Sequence, residues 1–292
     1  MCTALKYRNV MGRNFDYEKS YKEQIVRIEA NEFNNKYDII GMATGFVEDY
    51  PLLYDGMNEH GLCVAGLAFE GNAKYNSYEE EKMNVPAFDF TFYLLGHYTS
   101  CSDITRSIRT LNIWCEPYSD EMPNSDLHWF VCDSKRSLVI EQTETGLHCY
   151  EANGVMTNNP PYPDIKSNYI FEKGFIGGEG IEFGDKKWHS RGLSTNAVPG
   201  SYMSDDRFTR VSFFKEKLEN VKDIFNENVE AFHLLSSVKQ IYGLTPVDDK
   251  YEYTIYSIVY NMDTLDVYIQ TYENLQYEFF NLKDKTLKRY TI

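Results

Sequence analysis

The amino-acid sequence predicts an α+β protein built from antiparallel sheets with helices on their outer faces. Segments with the alternation typical of strands cluster in three runs, near residues 2–69, 127–157 and 253–282. Two segments with helical periodicity separate these runs, at about 86–111 and 204–242. Strands that come in runs, rather than alternating one by one with helices, favour antiparallel pairing over a doubly wound parallel fold.

The strand runs are divided by short polar turns, which suits antiparallel neighbours. In the first run the predicted strands cover residues 2–8, 10–15, 24–30, 37–44 and 61–69. In the later runs they cover residues 127–132, 137–142, 147–150, 155–157, 253–260, 265–271 and 276–282. Many of these segments are rich in Tyr, Phe and β-branched residues, which pack well on a pleated surface.

The first helical segment has two start signals. Pro86 is tolerated in a first helical turn and opens an apolar stretch that ends near residue 95. Ser102 is a good N-cap for a second helix over residues 103–111.

The second helical segment is predicted to begin at Asp205, with Ser204 as its N-cap. A partner helix is predicted over residues 230–242. Residues 160–200 are rich in Gly, Pro and polar groups and are predicted to form long loops, which either shape a binding site or simply connect elements. No linker or internal repeat interrupts the chain, so residues 1–292 are expected to form a single domain.

Composition and charge exclude several classes of function. The chain is 42% hydrophobic and 15% aromatic, which is ample for a large packed core. Its net charge is −15, from 44 acidic and 29 basic residues, and this disfavours nucleic acids and anionic membrane surfaces as partners. The sequence has no apolar stretch of about 18 residues that would span a membrane, and its start lacks a signal-peptide core. We therefore expect a cytoplasmic protein.

The cysteine and histidine patterns do not support a metal or redox centre. Six cysteines occur without CxxC spacing, and six histidines are scattered without ligand spacing. Phosphate-loop, dinucleotide-binding and GxSxG motifs are absent from the sequence. We therefore expect no metal and no organic cofactor, and we expect Cys63, Cys132 and Cys149 to be free thiols buried in strands.

Cys2 is the position that stands out chemically. It directly follows Met1, and methionine removal is favoured when the next side chain is small. The processed chain would carry a thiol and a free α-amine on one residue, and an α-amine with a pKa of about 7.7–8 can accept the thiol proton. N-terminal nucleophiles use their own amine as general base in this way. A cysteine at this position is common, so the assignment depends on the rest of the sequence.

A series of different short motifs extends along nearly the whole chain. They are Met1-Cys2-Thr3, Gly12-Arg13-Asn14-Phe15-Asp16, Asp55-Gly56-Met57-Asn58-Glu59-His60-Gly61-Leu62, Ala65-Gly66-Leu67, Leu127-His128-Trp129, Glu141-Gln142-Thr143, Gly154-Val155-Met156-Thr157-Asn158-Asn159-Pro160, Asp206-Arg207-Phe208 and Thr271-Tyr272-Glu273-Asn274. Each is weak alone, but together, at these separations, they are specific. With these motifs the chain resembles the choloylglycine hydrolase family. This family comprises the conjugated bile salt hydrolases and penicillin V acylases and belongs to the N-terminal-nucleophile hydrolases.

The resemblance implies a fold and an activity. The fold would be a four-layer αββα sandwich of two antiparallel sheets, the Ntn-hydrolase fold, and the assembly a homotetramer. The activity would be hydrolysis of a linear amide C–N bond through a thioester, with a small-molecule acyl amide as substrate. Glycine or taurine amides of bile salts are the leading substrates.

The resemblance also assigns roles to polar residues by matching position. Cys2 would be the nucleophile and, through its amine, the general acid and base. Arg13 would stabilise the thiolate, and Asp16 would hold the α-amine by a charge-assisted hydrogen bond. Asn158 would donate its side-chain amide to the developing oxyanion, and Arg207 would complete the polar cluster.

Some positions depart from the family pattern. Ala68 stands where bile salt hydrolases usually have Asn and penicillin V acylases often Tyr. The backbone N–H of Ala68 would still serve the oxyanion hole. Asp205 and Asp206 precede Arg207, where their carboxylates would either repel an anionic glycine or taurine end or neutralise Arg207.

The sequence leaves more than one substrate open. An apolar acyl half suits a pocket lined by aromatic side chains such as Phe15, Tyr17 and Phe69. Ala68 keeps open a rival within the class, a penicillin V acylase-like or acyl-homoserine-lactone acylase-like enzyme. A rival from another class is a catalytically silent protein that retains Met1 and binds an acyl amide.

Overall fold

The computed structural model describes residues 1–47, 50–120, 122–178, 181–183, 186–188, 192–223 and 225–292. In these ranges the helices are α1 (Phe90–His97), α2 (Cys101–Ser107), α3 (Tyr162–Glu172), α4 (Ser204–Glu219) and α5 (Glu227–Ser236). The strands are β1 (Cys2–Tyr7), β2 (Val10–Tyr17), β3 (Gln24–Ile28), β4 (Ile39–Val47), β5 (Tyr50–Asn58), β6 (Cys63–Ala68), β7 (Met83–Pro86), β8 (Leu111–Trp114), β9 (Leu127–Cys132), β10 (Ser137–Thr143), β11 (Gly146–Glu151), β12 (Val155–Met156), β13 (Ile181–Phe183), β14 (Lys186–Trp188), β15 (Thr245–Val247), β16 (Lys250–Asn261), β17 (Asp266–Thr271), β18 (Glu278–Asn281) and β19 (Arg289–Thr291).

Two large antiparallel sheets form the centre of the molecule. The first has the order β12–β1–β2–β16–β17–β18, with β15 paired to β16. The second has the order β11–β10–β9–β6–β5–β4–β3–β19. Strand β1 of the first sheet packs on β6 of the second, so the two sheets face one another.

Helices cover the outer face of each sheet. Helices α4 and α5 pack on β1, β2 and β16 of the first sheet, and α3 packs on α4. Helix α1 packs on β5 and β6 of the second sheet. The predicted αββα sandwich of antiparallel sheets is therefore confirmed. Within the described ranges, no helix is long and apolar enough to cross a membrane.

The hydrophobic core has two parts, one on each side of the second sheet. One cluster fills the space between the sheets and continues under α4 and α5, with Leu5, Phe130 and Val259 fully buried in it. The other lies between the second sheet and α1, where Phe90 packs edge-on against Trp129 with ring centroids 4.7 Å apart. Burial of this apolar surface is the main favourable contribution to folding.

Each large sheet carries a β-bulge. In β5 the extra residue is Tyr54, directly before Asp55. In β16 it is Ile255, between Thr254 and Tyr256. A bulge inserts one unpaired residue and redirects the neighbouring side chains, and bulges are frequent beside active sites.

The predicted strands are confirmed, with ends within three residues of those predicted. Strand β5 was not predicted, because Pro51 and Gly56 are typical of turns rather than strand interiors. All six cysteines carry free thiols. Cys63 and Cys132 are buried cross-strand neighbours, whereas Cys149 is only half-buried.

The prediction of loops over residues 160–200 is wrong for the segment that forms α3. Proline is tolerated in a first helical turn, and Tyr162, Ile165 and Tyr169 recur on the buried face of this helix. The hairpin of β13 and β14 also lies in this region. Residues 179–180, 184–185 and 189–191 of the predicted loops lie outside the described residues.

The two predicted serine caps are also wrong. Helix α2 is capped by Ser100, whose side chain accepts the N–H of Asp103, and not by Ser102. Ser204 is the first residue of α4 and makes no capping bond to it. Its hydroxyl instead accepts the backbone N–H of Asn158 at 2.8 Å. A serine hydroxyl can accept from any nearby backbone N–H that lacks a partner. Here the contact with Asn158, distant in sequence, replaces the local helix cap.

Candidate active site

Cys2 begins strand β1, and its side chain points into the space between the two sheets. The β1–β2 register pairs Cys2 with Phe15 and Ala4 with Arg13, which makes Cys2 and Arg13 diagonal neighbours on one face. Nη2 of Arg13 lies 3.5 Å from Sγ of Cys2. With Met1 in place, Cys2 is only 4% exposed.

The guanidinium of Arg13 crosses from the first sheet to the second and is held there. Its Nη2 donates to the carbonyl of Gly66 at 2.7 Å. Its Nη1 donates to the carbonyl of Tyr54 at 2.8 Å and to Oδ2 of Asp55 at 2.6 Å. The bulge at Tyr54 lets a main-chain carbonyl and the following carboxylate reach the same nitrogen. Arg13 therefore has a fixed position beside the Cys2 sulfur.

Asp55 supplies the negative charge that matches buried Arg13. Its carboxylate is fully buried and also accepts the hydroxyls of Tyr256, at 2.6 Å, and of Tyr260. Burial alone would lower the pKa of Arg13, but the negative charge of Asp55 and that of a Cys2 thiolate raise it above its usual value. Burial and the Asp55 charge raise the pKa of both tyrosines, so their hydroxyls stay protonated donors. The cluster keeps Arg13 cationic.

The N-terminal amine of Met1 lies at the edge of this cluster. It donates to the carbonyl of Asp16 at 3.0 Å and forms an ion pair with Glu252. The carbonyl of Met1 accepts the N–H of Asp16 at 3.1 Å, so Met1 extends the β1–β2 ladder by one residue. Burial lowers the pKa of this amine, and the charges of Cys2 and Asp16 oppose that shift.

Asp16 is the ladder neighbour of the N-terminus. Its carboxylate is held by hydrogen bonds on the face of the first sheet that the helices cover. Oδ1 accepts the hydroxyl of Thr254 at 2.6 Å, and Oδ2 accepts the amide of Gln240 at 3.1 Å. In this Met1-bearing chain the backbone N–H of Cys2 donates to Asn158 Oδ1 at 2.8 Å rather than to Asp16. The hold of Asp16 on the α-amine remains a prediction for the processed chain.

Arg207 orients the Asn158 side chain. It is fully buried, and its Nη1 donates to the carbonyl of Cys2 at 2.6 Å and to Oγ1 of Thr3 at 2.8 Å. Its Nη2 donates to Oδ1 of Asn158 at 2.8 Å. Because Oδ1 accepts from both Arg207 and Cys2, the amide nitrogen must point the other way, where it donates to the carbonyl of Ala68 at 2.8 Å. Asn158 and the end of β6 are thereby brought together.

The two carboxylates before Arg207 bond locally. Oδ2 of Asp206 accepts the N–H of Ser201 at 3.2 Å, and Oδ1 of Asp205 accepts the N–H of Asp206 at 3.1 Å. Across the described part of the chain, neither forms an ion pair with Arg207. Burial lowers the pKa of Arg207, and the charges of Asp16 and Cys2 oppose this more strongly than Asp205 does. A carboxylate of Asp205 or Asp206 therefore does not neutralise Arg207 by direct contact.

The three predicted pocket aromatics lie in different environments. Phe15 is sandwiched between Tyr54 and Tyr256, with ring centroids 4.7 and 5.2 Å away. Tyr17 is partly exposed and lies 6.2 Å from Phe15. Phe69 is fully buried. Phe15 is 7% exposed between its two neighbours and Phe69 is covered completely, so only Tyr17 offers a partly exposed ring. A pocket-lining role for these three side chains stays a prediction.

Several residues that build the site were not predicted to have a role. They are Asp55, Tyr256 and Tyr260 around Arg13, and Thr254 and Gln240 around Asp16. Asp55 is the first residue of one of the motifs given above, and its place there was the only feature of the sequence that could have indicated a role in the site. The tyrosines had none, since they are two among 24.

Arg13→Ala is expected to slow alkylation of Cys2 by iodoacetamide at neutral pH about tenfold, because the sulfur loses a positive charge 3.5 Å away. The change also leaves Asp55 unpaired in the interior, which costs about 3–5 kcal/mol. The double variant Arg13→Met/Asp55→Asn removes both charges and is expected to regain much of that stability in urea unfolding while alkylation stays slow. Wild-type alkylation rates in both variants would remove Arg13 from this role.

The fold and the site together define a class of protein. A four-layer αββα sandwich with a cysteine at the start of a central strand is the architecture of N-terminal-nucleophile hydrolases. Residues 2–291 match the family model described as linear amide C–N hydrolases, choloylglycine hydrolase family. The chain belongs to this family and is a linear amide C–N hydrolase.

Individual relatives are similar over nearly the whole chain. A bile salt hydrolase/transferase of Lactiplantibacillus plantarum is 37% identical, covering 98% of this chain and 94% of the relative. One of Clostridium perfringens is 32% identical with the same coverage. The crystal structure of a C2A mutant of conjugated bile acid hydrolase from Clostridium perfringens has a TM-score of 0.92 at 29% identity, covering 100% of this chain and 96% of that one.

Proposed function

We propose that this enzyme hydrolyses the glycine or taurine amide of conjugated bile salts through a thioester on Cys2. The observation that carries the proposal is the position of Cys2, with its sulfur 3.5 Å from buried Arg13 and its backbone nitrogen bonded to Asn158. The relatives named as bile salt hydrolases support the substrate class.

The reaction begins once Met1 has been removed and the nitrogen of Cys2 is a primary amine. This amine accepts the thiol proton, and the sulfur attacks the amide carbon to form an S–C bond. The carbonyl oxygen becomes an oxyanion, to which the side-chain amide of Asn158 and the backbone N–H of Ala68 donate. Asn158 donates to the carbonyl of Ala68, so its amide already points to the end of β6.

Collapse of the tetrahedral intermediate completes the acylation. The ammonium of Cys2 passes its proton to the leaving nitrogen, the C–N bond breaks, and glycine or taurine departs as the free amine. Water then attacks the thioester carbon and gives a proton to the Cys2 amine. The S–C bond breaks, the bile acid leaves, and the sulfur regains its proton. Arg13 stays cationic beside the sulfur throughout.

The aromatic side chains beside Cys2 fit the acyl half of such a substrate. Phe15 is the β-ladder partner of Cys2 and lies 6.2 Å from the partly exposed ring of Tyr17, on which the broad apolar surface of a steroid can pack. The glycine or taurine end is anionic, and the acidic residues near the N-terminus, Glu252 among them, do not favour it. We therefore assign recognition mainly to the acyl half.

The proposal is tested by intact mass, followed on the same sample by amine release from glycocholate, taurocholate and penicillin V. We expect loss of one methionine and release of glycine and taurine. Loss of methionine with turnover of penicillin V alone would keep the mechanism and change the substrate to that of an acylase. A retained Met1 without turnover would favour the rival reading as a silent acyl-amide binding protein.

A further inference from the structure

We propose that His128 and Glu141, a buried pair away from the reacting atoms, are positioning residues for the oxyanion hole. The inference rests on the proposed function, because it concerns the two groups that we expect to donate to the oxyanion, Asn158 and the N–H of Ala68. Neither His128 nor Glu141 would touch the substrate. Their effect would come through the backbone segments that carry the two donors.

His128 holds the residue before Asn158. The imidazole is 1% exposed, and its Nε2 lies 3.0 Å from the carbonyl oxygen of Thr157. A carbonyl can only accept, so Nε2 carries the hydrogen. The other ring nitrogen, Nδ1, lies 3.1 Å from Oε1 of Glu141, and this contact fixes the plane of the ring.

Glu141 holds the far end of the same segment. Its carboxylate is fully buried, and Oε1 accepts the backbone N–H of Tyr162 at 3.0 Å and lies 3.1 Å from Nδ1 of His128. Tyr162 is the first residue of α3. The pair therefore fixes residues 157–162 at both ends, and Asn158 is the second residue of that segment.

The same imidazole also supports the other donor. Phe69 stacks on His128 with ring centroids 4.3 Å apart and ring planes within 9° of parallel. Phe69 directly follows Ala68, whose carbonyl accepts the amide of Asn158. One ring thus contacts the chain next to each proposed oxyanion donor, and a shift of the ring would change the distance between the donors.

The alternative is that His128 is an ordinary, satisfied core histidine that matters only for stability. Trp129 provides a matched control because it is the next residue on β9, is fully buried, and faces the opposite side of the sheet, where it packs on Phe90. Trp129→Phe loosens the core at the same strand without touching residues 157–162. Large-to-smaller core changes of this kind cost about 1–3 kcal/mol.

The experiment compares His128→Phe with Trp129→Phe in the processed enzyme. His128→Phe keeps a ring to stack on Phe69 but removes both hydrogen bonds. We expect its kcat to fall about 30-fold with KM within about threefold, a part of the roughly 100- to 1,000-fold that loss of an oxyanion donor costs. Alkylation of Cys2 by iodoacetamide needs no oxyanion hole and is expected to stay within about twofold of wild type.

An aldehyde analogue of the bile acid gives the most specific readout, because its adduct with Cys2 carries the oxyanion. Its affinity is expected to fall in parallel with kcat in His128→Phe and to stay near wild type in Trp129→Phe. Glu141→Gln, which keeps shape and the acceptor for Tyr162, is expected to show the same pattern more weakly and serves if His128→Phe does not fold. Equal losses in His128→Phe and Trp129→Phe, or a slowed alkylation, would overturn the positioning role.

Failure of the proposed function has a different signature. If the wild-type enzyme releases no amine from any of the substrates above, the proposed function fails, and the positioning role is judged on a crystal structure of His128→Phe. A displacement of the Asn158 amide by about 1 Å or more, a shift large enough to cost about 100-fold in rate, would support it. An unmoved Asn158 would reject it.

Discussion

Cys2→Ser is expected to lower kcat/KM for amide hydrolysis at least about 1,000-fold, which corresponds to about 4 kcal/mol of transition-state stabilisation. A serine hydroxyl ionises far less readily than a thiol, so the same base removes its proton much less readily. Arg13 contributes a positive charge at 3.5 Å, while the only base in the proposed mechanism is the α-amine of residue 2 itself. The fold should survive, because serine is nearly isosteric and the sulfur packs at the end of a strand.

Steady-state kinetics and thermal unfolding on the same preparation test this. The matched control is Cys115→Ser, since Cys115 is an exposed free thiol outside the strands that carry Cys2 and Arg13. It is expected to keep wild-type activity and so to separate nucleophile loss from a general effect of removing a thiol. Cys2→Ser with more than about a tenth of wild-type activity would contradict the nucleophile assignment.

A chain that keeps Met1 is expected to be inactive, with turnover at least about 100-fold below that of the processed chain. The nitrogen of Cys2 is then an amide that donates to Asn158, and an amide has no basic lone pair to accept the thiol proton. General base catalysis alone contributes about 100- to 10,000-fold. In the chain that keeps Met1, Cys2 is also only 4% exposed, which restricts access of a substrate to the sulfur.

A removable N-terminal fusion distinguishes these two causes. Cleavage that leaves Cys2 as the first residue is expected to switch activity on. Cleavage that leaves one extra glycine before Cys2 is expected to give an inactive enzyme, although glycine adds almost no bulk. If the glycine-extended chain were as active as the processed one, the α-amine would not be the general base, and another group would have to be sought near the sulfur.

Antiparallel sheets with helices on their outer faces were predictable because the strands alternate visibly in the sequence and occur in runs, whereas the four-layer sandwich was implied by the resemblance to the choloylglycine hydrolase family. Strand β5 and helix α3 escaped prediction for the same reason. Strand β5 contains Pro51 and Gly56, and α3 begins among prolines, so local composition indicated turns where tertiary packing stabilised a strand and a helix. The caps of α2 and α4 failed for a related reason, since several serines compete for the same role and the choice depends on contacts distant in sequence.

The residues proposed to react were assigned by resemblance, but the groups that hold them were not predicted. Arg13 donates to Asp55, and this hydrogen bond depends on the bulge at Tyr54. A single sequence does not reveal where such a one-residue shift in strand register occurs. Gln240 lies 224 residues from its partner Asp16. Contacts of this kind follow from the sheet order, which the sequence pattern did not determine.

The order of strands in the first sheet also bears on the time available for maturation. Met1 belongs to the β1–β2 ladder through both of its hydrogen bonds to Asp16, and β2 is bounded on its other side by β16, which begins more than 230 residues later. At about 5–20 residues per second, a ribosome needs roughly 12–50 s to supply that neighbour. The sheet around β1 and β2 is therefore complete only after β16 has been synthesised. During this interval the N-terminus lies outside a completed sheet, and Met1 can be removed.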